Sequence, residues 1–200
     1  AGRGIGGTIN GFSTNPSPGG LSLVIATVVD SDRNIFQDNG DAHIGLVMGG
    51  NTFNTIVVEN GSFSDAFDRR TVGLPLGQQP SGQFQGEGIH YILQDTAVLT
   101  GGVTDSILSG NEGDGLKIQI AGNNDAGNTG IFTAAQLNNF FITDNEFIGN
   151  GRRGDIDGDG IADGVLADGI EIIRRERGQF NDLLISGNLI TDNTENGIAI

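Results

Sequence analysis

A phrase of fixed spacing recurs down this chain: an aliphatic residue, two small or polar residues, an Asn, an apolar residue two places on, and a second Asn three places after that. Its fullest copies are Ile185-Ser-Gly-Asn188-Leu-Ile190-Thr-Asp-Asn193 and Ile142-Thr-Asp-Asn145-Glu-Phe147-Ile-Gly-Asn150. Val103-Thr-Asp-Ser106-Ile-Leu108-Ser-Gly-Asn111 puts Ser at the first polar site, and Val58-Glu-Asn-Gly61-Ser-Phe63-Ser-Asp-Ala66 keeps only the apolar frame. A Gly and an alternating apolar run follow, at Gly88-Ile89, Gly115-Leu116, Gly169-Ile170 and Gly197-Ile198. A short period-2 strand cannot bury its inner face by itself, and needs the same strand of the next unit above and below it. The spacing therefore predicts a solenoid.

Ile170 lies 28 residues before Ile198, and Ile89 lies 27 before Leu116, which sets a turn of about 27–28 residues. The longer gaps, Ile44 to Ile89 and Leu116 to Ile170, contain stretches that break the strand pattern. These are insertions near 69–86, 121–137 and 151–167. Solenoids tolerate them because loop-closure cost rises slowly with length. Residues 1–20, rich in Gly, Ser, Pro and Asn, read as an irregular Gly-rich segment ahead of a coil over 21–200. Leu21 to Val29 reads as the first well-formed strand, and a short helix is expected over Thr133 to Asn138.

On these residues the chain resembles the right-handed parallel β-helix repeat family, the coil shared by pectate lyases, polygalacturonases, alginate epimerases and many non-enzymatic surface proteins. The resemblance covers roughly residues 21–200 and is specific for fold rather than function. It implies an all-β, right-handed, single-stranded parallel β-helix with Gly and Asn at its corners. Asn tolerates left-handed backbone there, and its amide can bond the Asn of the next turn. Asn193, Asn150, Asn111 and Asn39 would form one such column. Inward residues are expected to run from Val58 and Phe63 through Ile89, Leu108, Ile142 and Phe147 to Ile185, Ile190 and Ile198.

Thirty-five glycines in 200 residues, one Tyr and no Trp argue against α/β and bundle folds. The net charge of −15 leaves no basic face for nucleic acid or an anionic membrane, since both require displaced counterions. No apolar run is long enough for membrane insertion. The absence of cysteine excludes a disulfide scaffold. An acidic, cysteine-free repeat rich in Gly, Asn and Asp points to an extracellular or cell-surface location.

The strongest chemical signal is Asp155-Ile-Asp157-Gly-Asp159-Gly160-Ile161-Ala-Asp163. Oxygen ligands at positions 1, 3, 5, 7 and 9, with Gly at 6 for the sharp turn, are the order in which an EF-hand-type loop wraps Ca²⁺. Here they are Asp155, Asp157, Asp159, the Ile161 carbonyl and Asp163. The loop resembles those of dockerins and thrombospondin type 3 repeats, but its twelfth position is Leu166, with Asp168 two places on. Four carboxylates so close repel one another unless a cation neutralises them.

Arg174-Arg175-Glu176-Arg177 is the one basic cluster. The pectate lyase resemblance implies a surface Arg acting as base beside Ca²⁺, so Arg174 or Arg177 facing the calcium loop would make a lyase. Against this, the family's longer catalytic motifs are missing, and an outward charged corner is favoured. His43 and His90 are expected to face outward. Gly2-Arg-Gly4-Ile-Gly-Gly7 lacks the strand and the acidic residue of a dinucleotide site. Arg153-Gly154-Asp155 overlaps the calcium loop, and Asn60-Gly-Ser62 is a formal glycosylation sequon.

The expectation from sequence is a non-enzymatic structural or adhesive module stabilised by Ca²⁺. Its last strand stops at Ile200 with no capping element, so its ends should be covered by further turns or by end-to-end self-association. The alternative is a lyase, hydrolase or epimerase acting on an acidic polysaccharide.

Overall fold

The computed structural model describes residues 5–11, 20–26, 33–39, 42–66, 86–122, 134–151 and 166–200, with only the backbone of 5–11. Strands β1 (Ile5–Gly11), β2 (Ser22–Ile25) and β3 (Asn34–Gln37) form the first coil. The second is β4 (Ile44–Gly50), β5 (Phe53–Glu59) and β6 (Gly61–Ser64), and the third is β7 (Ile89–Leu93), β8 (Val98–Thr104) and β9 (Ile107–Ser109). The fourth is β10 (Leu116–Ala121), β11 (Gln136–Thr143) and β12 (Glu146–Ile148), and the fifth is β13 (Ile170–Arg175), β14 (Gln179–Ser186) and β15 (Leu189–Thr191). A short β16 (Ile198–Ala199) follows. Each strand pairs in parallel with its equivalent in the next coil, giving one sheet of six strands and two of five. The chain is an all-β parallel β-helix.

Two segments take a different secondary structure from the sequence expectation. Within the segment 1–20, Ile5–Gly11 pairs with β4 along its whole length, so the stack begins inside a stretch expected to be irregular. Residues 136–138 of the expected helix lie in β11 instead. Pairing with β8 and β14 on both sides decides their state, which a short helical propensity cannot outweigh. Among the described residues no helix is long and apolar enough to cross a membrane.

The core is three apolar columns, one per sheet. Val58, Val103, Ile142 and Ile185 are in register, as are Phe63, Leu108, Phe147 and Ile190, and Ile89, Leu116, Ile170 and Ile198. From the second coil to the fourth these side chains are fully buried. Each such burial is worth about 1.5–3 kcal/mol. Ile185 and Ile190 are half-buried and Ile198 is 44% exposed, because no coil lies above them among the described residues.

The corners join sheets through one left-handed residue, and it is the residue before the Asn rather than the Asn itself. Asp144 (φ 58°) precedes Asn145, Gly187 (φ 69°) precedes Asn188, Gly149 (φ 66°) precedes Asn150 and Asp192 (φ 57°) precedes Asn193. Asp and Gly tolerate this backbone, which leaves the Asn side chain free to reach the neighbouring coil. Asn145 Nδ2 donates to the Val103 carbonyl at 2.9 Å while its Oδ1 accepts from the Ser106 amide at 3.0 Å. Asn188 does the same to Ile142 and Asn145, Asn150 to Leu108 and Asn111, and Asn193 to Phe147 and Asn150. Every clamp grips the corner of the coil on its N-terminal side.

The expected column Asn111, Asn150, Asn193 forms, with amide-to-amide bonds of 2.9 Å. Asn39 stands at the same column position, but Ala66 interrupts the ladder between it and Asn111. Its Nδ2 instead lies 2.8 Å from His43 Nδ1.

Candidate functional site

After each clamped corner comes an acidic residue, then Gly, an apolar residue that starts the next strand, and a polar residue. Glu87-Gly88-Ile89-His90, Asp114-Gly115-Leu116-Lys117 and Asp168-Gly169-Ile170-Glu171 are successive copies. The parallel register aligns them in columns, and glycine is required in its column because the interior is filled. A Cβ on Gly115 would stand 2.7 Å from the Gly169 carbonyl, 2.8 Å from Phe147 and 2.9 Å from Asn150. The acids form a second ladder of opposite sense. Asp114 Oδ1 accepts from the Asp168 amide at 2.7 Å, and Asp168 Oδ1 from the Asn196 amide at 2.8 Å.

Beside this ladder Lys117, the protein's single lysine, places Nζ 2.9 Å from Asp114 Oδ2 and 2.5 Å from Glu171 Oε2. Burial alone would push the ammonium down, but the two carboxylates outweigh it and hold Lys117 well above its ordinary range. Burial raises Asp114 above the ordinary carboxylate range despite Lys117 and the Asp168 amide. Glu87, Asp114, Lys117, Asp168, Glu171 and Glu195 line a cavity of about 110 Å³. Oxygens of Asp114, Asp168 and Glu171 lie within 4.8 Å of one another. Carboxylates so grouped are suited to a hard divalent cation, and Lys117 already places positive charge against two of them.

The calcium-type residues Asp155, Asp157, Asp159, Ile161 and Asp163 lie outside the described residues, as does Arg153. The chain re-enters the described structure at Leu166 and two residues later reaches Asp168 in the acid ladder. The 69–86 and 121–137 stretches also fall largely outside.

Both histidines are buried; His43 turns into the stack, contrary to the outward position expected of it, whereas His90 faces outward as expected but is covered. His43 stands in the glycine column, in register with Gly88, and its ring packs against Phe36 and Phe63 with centroids 6.5 and 6.2 Å away. A His fits there because Ala66 stands where the Asn of the ladder would be. His90 lies on the outer side of its strand, with Nδ1 3.1 Å from Glu87 Oε1, and both side chains are almost wholly buried. The two histidines occupy different columns, as their offsets in sequence indicated. Arg174, Arg175 and Arg177 are exposed at the end of β13 and the corner after it, but Arg174 stands in register with the core residue Ile120, an inward column position rather than the outward one expected. Asn60 of the sequon is 4% exposed and adopts the left-handed conformation (φ 54°), so its side chain is not presented for glycosylation.

Sequence reasoning missed Glu87, Asp114 and Lys117 as members of one site. The signal was the repeated acid-Gly-apolar tetrapeptide, which had been read only for its Gly and its strand. Comparison of the chain with protein-family models, characterised proteins and solved structures finds no match.

Proposed function

We propose that the chain is a structural or adhesive β-solenoid module of the extracellular or cell-surface kind, stabilised by Ca²⁺ at the loop from Asp155 to Asp163. One observation carries the reading. The Asn and Asp side chains of the corner columns, Asn145, Asn150, Asn188, Asn193, Asp114 and Asp168, each bond the backbone of a neighbouring coil. Groups held this way maintain the stack and are not presented to a substrate. The acidic surface suits cations, or an acidic polysaccharide bridged by them.

A second reading, an enzyme cleaving acidic glycans through bridging Ca²⁺, draws on the grouped oxygens of Asp114, Asp168 and Glu171. One assay separates the two. Pectate, alginate and related polymers are incubated with the protein and Ca²⁺, and unsaturated products are followed in the near ultraviolet. The scaffold reading expects no turnover. Steady turnover lost in Arg174→Ala or Lys117→Ala would replace it with the enzyme. Ca²⁺ should also raise the melting temperature of the wild type and leave Asp157→Ala/Asp159→Ala unchanged. An equal rise in both would remove calcium from that loop.

A further inference from the structure

Of the ten basic residues in the chain nine are Arg, and the tenth, Lys117, stands between the carboxylates of Asp114 and Glu171. For an ion pair alone Arg is the better choice, because its planar fork bonds a carboxylate through two N–H groups and is weakly hydrated. What Lys adds is an amine that can give up its proton and act as a nucleophile. The strands hold that amine against a second coil. Lys117 of β10 and Glu171 of β13 are direct partners in the parallel register, and Nζ lies 2.5 Å from Glu171 Oε2. Attack on a carboxyl carbon requires the nitrogen within roughly 3–3.5 Å of it, and an oxygen bonded to that carbon already touches the nitrogen. The third group is fixed as well. Asp114 Oδ1 accepts from the Asp168 amide at 2.7 Å, which leaves Oδ2 facing Nζ at 2.9 Å. The side chains of Lys117 and Asp114 are 16% and 8% exposed, so little water competes for these groups.

We propose that Lys117 and Glu171 join in an intramolecular isopeptide bond that staples the fourth coil to the fifth, with Asp114 as its general base. The ammonium first gives one proton to Glu171 Oε2, which turns the ion pair into an amine and a carboxylic acid. The amine attacks Glu171 Cδ while Asp114 Oδ2 takes a second proton from the nitrogen. The bond from Cδ to Oε2 then breaks, and the hydroxyl leaves as water with the proton that Asp114 returns. One ammonium and one carboxylate become one amide and one water, and Asp114 ends as it began. Burial raises Asp114 above the ordinary carboxylate range, which makes it a stronger base for the second transfer. The two carboxylates hold the ammonium above its own ordinary range, so the first proton moves only to the acid in direct contact, and the bond forms once, slowly, after folding. The chain has no cysteine and therefore no disulfide. Like a disulfide, the amide restricts the unfolded chain, here across the insertion near 151–167. It is compatible with a scaffold or an enzyme.

Intact-mass measurement of the full chain, denatured so that ion pairs are broken, reads the bond directly. The wild type is expected one water lighter than its sequence, and its digest to contain one branched peptide joining Lys117 to Glu171. Lys117→Arg keeps the charge and should show the full sequence mass with a lower melting temperature, and Glu171→Ala should also show the full mass. In chains sampled during cell-free synthesis, Asp114→Ala should form the branch at least about 100-fold more slowly. A wild type at its full sequence mass would overturn the proposal. So would a loss of water that persists in Lys117→Arg, as a succinimide at an Asp-Gly step would give, or a branch that maps to Asp114 in place of Glu171. A branch formed by Asp114→Ala at the wild-type rate would overturn the role of Asp114. If Asp114→Ala does not fold, the masses of the wild type and Lys117→Arg decide.

Discussion

Asn150 is engaged on both sides. It donates to the Leu108 carbonyl at 3.1 Å and to Asn193 Oδ1 at 2.9 Å, and accepts from Asn111 Nδ2 at 2.9 Å. Replacing it by Ala strands buried donors and acceptors in two coils, so Asn150→Ala should lower unfolding free energy by about 2–3 kcal/mol in urea titration. A loss below about 0.5 kcal/mol would mean the clamps are not bearing on stability. Tyr91 presents the opposite case. Its hydroxyl is buried in the core with no hydrogen-bond partner among the described residues, the ring meets Phe140 edge-on, and burial pushes the phenol well above its ordinary range. Tyr91→Phe removes an unsatisfied polar group at constant shape and should raise stability by about 1 kcal/mol in the same titration.

Strands and corners differ in how far sequence exposes them. The inward positions Phe63, Leu108 and Phe147 were legible because a period-2 run repeating every turn admits one burial pattern. The Asn columns were legible from spacing, but the left-handed residue was not, because Asp, Asn and Gly share that tolerance and only backbone geometry separates them. His43 could not be placed because its burial depends on Ala66, a residue far along the chain that leaves the corner open. That corner between β3 and β4 makes a pH prediction. Burial holds His43 below its ordinary value of 6.5, although the Ser64 backbone, the Asn111 side chain and the Asp65 and Asp38 carboxylates pull it upward. Below pH 6.5 the unfolded chain therefore binds a proton that the folded chain resists. Stability falls as pH drops through that value and stops falling from this source once the lowered folded pKa is passed. His43→Phe should lose less melting temperature than the wild type between about pH 7.5 and 5.5. Equal losses would contradict the assignment.

For the whole molecule, sequence reached the parallel coil but not the acid ladder with Lys117. Asp114 and Asp168 stand 54 residues apart, and only the register across an insertion brings them together. The scaffold account predicts a pattern of protection that one measurement reads directly, amide hydrogen exchange resolved by residue on the monomeric chain. The amides of Ser106, Asn111, Asn145 and Asn150 are gripped from the coil above and should exchange as slowly as core strand amides. Those of Asn188 and Asn193, at the same corners with no coil above among the described residues, should exchange faster by orders of magnitude. Uniformly fast exchange at all six corners, or uniformly slow exchange including Asn188 and Asn193, would contradict a stack held by directional asparagine clamps.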